Sequence, residues 1–122
     1  MSGTISTYLS QKWLKEIQEN AIPTYAGLHY SSPPSEDPTS TELDGGSYHR
    51  NIMAWSLNNT TISISSTLLW TGLNATSITH IGIYDSQYKG NLLAKIALSP
   101  AVVVPSNGVY EVSPGEIYLS LS

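Results

Sequence analysis

The clearest pattern of apolar and polar positions lies in residues 79–98, THIGIYDSQYKGNLLAKIAL. Ile81 and Ile83 fall on one face while His80, Gly82 and Tyr84 fall on the other, the period of two that marks a strand. Residues 85–91 then supply turn chemistry: short polar side chains that bond backbone, and a glycine able to take positive φ. From Leu92 to Leu98 the chain is apolar again, so the stretch predicts two strands and the turn between them. Gly82 inside the first strand predicts a bulge or a close backbone approach.

Similar alternation recurs along the chain. Residues 24–30 read as a strand with Ala26, Leu28 and Tyr30 on one face, and residues 47–55 as extended. Residues 60–66 place Ile62 and Ile64 inward, 68–70 form a short apolar piece, and 72–76 read as loop. Residues 101–104 are a β-branched segment bounded by Pro100 and Pro105. Ser106-Asn107-Gly108 is a strong turn, and 109–112 and 116–121 are the last extended segments. About eight short strands with a turn signal roughly every ten residues predict a mainly β domain, an antiparallel β-sandwich or jelly-roll.

One stretch carries a helical period. In residues 6–20, Leu9, Trp13 and Ile17 recur every four positions and Leu14 joins them. Thr4 or Ser6 can cap its start, and Asn20 and Pro23 stop it. This predicts one short N-terminal α-helix whose stripe packs either on the domain's own sheet or on a neighbouring subunit. Leu9, Trp13, Leu14 and Ile17 are therefore the candidate interface residues. Residues 31–46 form a long Pro-containing loop with Glu36, Asp37, Glu42 and Asp44, longer than most internal connections and so either functional or mobile.

Composition narrows the function. The 122 residues suit a single domain, and the lack of cysteine excludes disulfides and Cys-based zinc sites. Net charge is −4, and the five basic residues are scattered, which argues against nucleic acid as a partner. No apolar run approaches the roughly 20 residues that span a bilayer, and the polar start predicts no signal peptide.

The scan for chemistry predicts no catalytic, cofactor or metal site. His29, His49 and His80 lack metal-ligand spacing, and no GxSxG, phosphate loop or EF-hand loop is present. Glu36 and Asp37 read as solvated charges. Asn58, Asn59 and Asn74 each open an N-x-Ser/Thr triplet, which means little without a signal peptide. Eight Tyr and three Trp with no Phe suit strand edges, interfaces or sugar platforms. Gly45-Gly46 permits a tight bend, and Arg50 is expected to pair with Asp44 or Asp85.

A set of landmarks in fixed order adds to this. They are Gly27-Leu28-His29, the acidic loop around Pro38, Gly45-Gly46-Ser47-Tyr48-His49-Arg50, Thr79-His80-Ile81-Gly82-Ile83-Tyr84-Asp85 and Gly90-Asn91-Leu92-Leu93. After a short helix, this order resembles a family of small tailed-bacteriophage virion proteins of the tail-fibre, minor tail or capsid-decoration type. The likeness runs nearly end to end and is weakest over residues 57–77. It implies a non-enzymatic structural protein of the virion, assembled in the bacterial host cytoplasm, without cofactor. The first expectation is a protein that decorates and cements the capsid, held by many weak contacts to the major capsid protein. By analogy with decoration proteins it would be a homotrimer. A tail or baseplate fibre component bound to tail proteins is the alternative. A small carbohydrate-binding β-sandwich is the reading of another class.

Overall fold

The computed structural model describes residues 23–34, 36–58 and 61–120. Among them run β1 (Thr24–His29), β2 (Asn51–Met53), β3 (Trp55–Asn58), β4 (Thr61–Ile64), β5 (Leu68–Leu73), β6 (Thr76–Tyr84), β7 (Leu92–Val104), β8 (Gly108–Val112) and β9 (Tyr118–Ser120). The fold is mainly β, as the alternation predicts. All pairings are antiparallel, and the strands are shared among three sheets, β2-β1-β6-β7, β3-β4-β9 and β5-β8.

Period-two alternation explains how these sheets share one core. In the four-stranded sheet, Ala26 faces Ile83 and Leu28 faces Ile81, while Ile81 and Ile83 meet Ile96 and Ala94 of β7. All six are buried on one face, where they join Trp55, Ile62, Ile64, Leu68, Trp70 and Leu73 from the other sheets. Each large apolar side chain withdrawn from water contributes roughly 1.5–3 kcal/mol. The two buried indoles keep their N–H groups bonded: Trp55 Nε1 donates to Thr24 Oγ1 at 2.7 Å, and Trp70 Nε1 to the His49 carbonyl at 2.9 Å.

The opposite face of the four-stranded sheet is polar and is also covered. Tyr25 pairs with Tyr84, Gly27 with Gly82, and His29 with His80. Over it folds the segment expected to be a long loop. Residues 38–41 form a short 3₁₀ helix, η1 (Pro38–Thr41). The chain then runs beside the end of β1: Leu43 N donates to Leu28 O at 2.9 Å and Tyr30 N to Thr41 O at 3.1 Å. Glu42 forms a β-bridge with His29.

Other details depart from the pattern. Tyr30 does not join Ala26 and Leu28 inside; β1 ends at His29, and Tyr30 lies at the surface with its hydroxyl donating to the Ser40 carbonyl. Residues 47–55 hold two short strands parted at Ala54. Residues 72–76 are not a plain loop, because β5 continues to Leu73 through Gly72 in the left-handed region. Residues 101–104 are not a separate strand: β7 runs through Pro100. Register changes between Ile78–Val102 and His80–Ala97, so β7 bulges over residues 98–101 opposite Thr79. A proline there forfeits no ladder hydrogen bond. The predicted helix over residues 6–20 lies outside the described residues.

Candidate functional site

Of the landmark residues, His29, Tyr48, Arg50 and Tyr84 converge on the polar face, and the glycine pair Gly27 and Gly82 makes room for them. A Cβ on Gly27 would lie 2.7 Å from Glu42 Oε2 and 3.0 Å from the Tyr48 hydroxyl. One on Gly82 would lie 2.7 Å from His29 Nε2 and 2.9 Å from the Tyr84 ring. Gly82 keeps regular pairing with both neighbours, so its role is close approach.

Glu42 reaches into this space from the covering segment. Arg50 Nε donates to its Oε2 and Arg50 Nη2 to its Oε1, both at 2.8 Å, a bidentate pair that is almost fully buried. The Tyr48 hydroxyl donates to Glu42 Oε2 and itself accepts from Leu28 N at 3.0 Å. Arg50 Nη1 donates to the carbonyls of Ser86 at 2.8 Å and Lys89 at 2.7 Å, binding the 85–91 turn to the sheet. The guanidinium carbon sits 3.6 Å from the Tyr84 ring centroid, a cation–π contact. Burial works against the Arg50 charge, but the Glu42 hydrogen bonds and carboxylate outweigh it and raise its pKa.

His29 and Tyr84, both fully buried, complete the layer. Tyr84 Oη lies 2.9 Å from His29 Nε2, and His29 Nδ1 lies 2.9 Å from Thr41 Oγ1. Burial holds the His29 pKa down to about 4; Glu42 opposes this while Arg50 and His80 add to it. Burial, with Glu42 nearby, pushes both the Tyr84 and Tyr48 hydroxyls well above the ordinary tyrosine range. Near neutrality the layer therefore holds one ion pair, a neutral imidazole and two protonated phenols. These groups spend their hydrogen bonds on one another, so the layer fastens covering segment, sheet and turn together.

Beside it opens a cleft of about 440 Å³, floored by Glu42, Tyr48 and Arg50 and bordered by Asp44, His49, Gln87, Tyr88 and Lys89. A second depression of about 350 Å³, lined by Tyr25, His49, Arg50, Asn51, Ile52 and Gln87, adjoins it.

The structure brings His29 and His80 side by side and leaves His49 elsewhere, bonded through Nδ1 to the Ser47 carbonyl. Among the described residues no group of three His, Cys, Asp or Glu side chains could hold a metal, and no helix is long and apolar enough to cross a membrane. Leu9, Trp13, Leu14 and Ile17 lie outside the described residues. Arg50 pairs with neither Asp44 nor Asp85. Asp85 is occupied by Asn91, whose backbone N and Nδ2 donate to its two carboxylate oxygens. Asp44 lies two residues past Glu42 on the exposed rim. Glu42 and Tyr48 were missed because the sequence gives no sign that the acidic loop folds back onto β1. The available signal was the Tyr48–Arg50 spacing, which in extended chain turns both side chains the same way.

Among protein families, the one described as podophage GP4 fiber I protein gp80 matches residues 4–120. A search of curated proteins finds no match. The matched span holds every landmark of the buried layer, from Gly27 through Glu42, Tyr48 and Arg50 to Gly82 and Tyr84. The chain thus belongs to the family of the podophage GP4 fiber I protein gp80, a phage fibre family whose members are structural components of the virion.

Proposed function

We propose that this protein is a non-enzymatic building block of a tail or baseplate fibre. The observation that carries the reading is the match of the fibre family over residues 4–120. It favours a fibre over capsid cement, because the family bears a fibre protein's description and not a capsid protein's. The physical character of the site agrees. Its buried charges and phenols are consumed by internal bonds, which suits a body that must keep its shape within an assembly.

In this reading the protein self-associates as a trimer and contacts tail proteins after synthesis in the host cytoplasm. The apolar stripe Leu9, Trp13, Leu14 and Ile17 supplies the subunit contact. The test is to locate and count the chain in purified particles, by immunogold electron microscopy and quantitative mass spectrometry. Label on tail appendages at low copy number is expected. Label spread over the capsid at hundreds of copies would restore the cement reading, and absence from particles would end both.

A further inference from the structure

The cleft beside the Glu42–Arg50 pair has features that its structural neighbours do not need. Tyr88 stands at its rim 77% exposed, and its hydroxyl bonds to no described residue. The side chains of Asp44, Gln87 and Lys89 also make no hydrogen bond among the described residues, and His49 uses only Nδ1. Hydrogen-bond donors and acceptors thus ring a concave surface with an aromatic plane at one side.

The turn that presents Tyr88 is fixed before anything binds. Asp85 receives two bonds from Asn91 and returns its own backbone N–H to the Asn91 carbonyl at 3.2 Å. Ser86 Oγ donates to the Tyr88 carbonyl at 2.8 Å. Lys89 holds a left-handed φ of 53°, unusual for a non-glycine residue, and Arg50 grips its carbonyl. Such strain persists only where surrounding structure enforces it, and it concentrates at ligand clamps. A preformed aromatic and polar rim lowers the ordering cost of binding.

Charge selects the ligand class. Glu42 and Arg50 neutralise each other in the floor, and Asp44 and Lys89 are of opposite sign on the rim. A strongly charged ligand gains nothing from such a site. A neutral ligand with one apolar face and several hydroxyls matches it: the apolar face lies on Tyr88, while Asp44 accepts from hydroxyls and Gln87, His49 and Lys89 complete the ring of bonds.

We infer that this cleft is a saccharide-binding site, for a neutral pyranose residue stacked on Tyr88 and held by Asp44. The inference is independent of where the protein sits on the particle. The test uses the full chain and a panel of methyl pyranosides of glucose, galactose, mannose, rhamnose and N-acetylglucosamine, with methyl glucuronoside as the charged comparison. Binding is read by saturation-transfer-difference NMR and by titration of backbone amide shifts. Expected is transfer to ring C–H protons of at least one neutral pyranoside, with shifts confined to residues 42–50 and 85–91. Affinity should fall about tenfold or more in Tyr88→Ala and in Asp44→Asn. Both residues are exposed, so unchanged circular dichroism is expected to accompany the loss. The inference is overturned by absence of transfer from every neutral pyranoside, by binding that survives both substitutions, or by preference for the glucuronoside. A protein found in fibres yet silent in this assay would lose the cleft assignment alone, whereas a sugar binder absent from particles would lose the fibre assignment alone.

Discussion

Arg50 and Glu42 show how much of this body rests on single side chains. Removing one partner leaves a buried charge unpaired, which typically costs about 3–5 kcal/mol, a large share of a small domain's stability. Arg50→Met is accordingly expected to unfold at much lower urea concentration than the wild type, and the double variant Glu42→Leu/Arg50→Met to recover part of the loss. His29 adds a dependence on acid. Because burial depresses its pKa to about 4 from the ordinary 6.5, the unfolded chain takes up a proton that the folded one refuses. Stability is therefore whole above about pH 6.5, declines as pH falls toward about 4, and loses on the order of 3 kcal/mol from this group at most. Urea midpoints across that window, with His29→Gln as the variant whose slope should flatten, measure it. Little of this layer was legible beforehand. The residues read as landmarks, yet the sequence points Arg50 to Asp44 or Asp85 and not to Glu42, because only the fold-back of 31–46 decides which acid arrives.

Strands were easier to read than their ends. The 85–91 hairpin and the inward Ile62 and Ile64 follow from period two alone. Pro100 argues against a continuous strand and so predicts a break within β7, and only the bulge opposite Thr79 removes that objection. Segments expected to be loops, 31–46 and 72–76, took structure through pairing with residues far off in sequence, which propensity cannot see. The glycines of these elements supply a test. Gly82→Ala thrusts a methyl at His29 and Tyr84, and overpacking of this kind costs typically about 1–3 kcal/mol. Gly46→Ala should be at least as damaging, since Gly46 holds a left-handed φ of 56° and a Cβ would meet the Gly72 carbonyl. Thermal melts followed by near-ultraviolet circular dichroism, sensitive to Trp70 and its stacked neighbour Tyr110, are expected to show both losses.

At the scale of the molecule, the proposed assembly is tested through Trp13. With the stripe at a subunit contact, Trp13→Ala is expected to keep a β-type far-ultraviolet spectrum while light scattering falls to the monomer mass. Unfolding in place of dissociation would put the stripe in the domain's own core. The sheet order carries a further consequence, for the time at which this body comes into being. Tyr25 pairs with Tyr84, and Thr61 with Ser120, so these contacts close loops of about sixty residues. Topologies so dominated by distant pairing fold in milliseconds to seconds, not microseconds. On the ribosome, β1 must wait for β6 and β4 for β9, so most of the chain emerges before its sheets can close. Until then the Ala26–Leu28 and Ile62–Ile64 strands present bare edges, and chains made close together on one message are exposed to mispairing before they are folded.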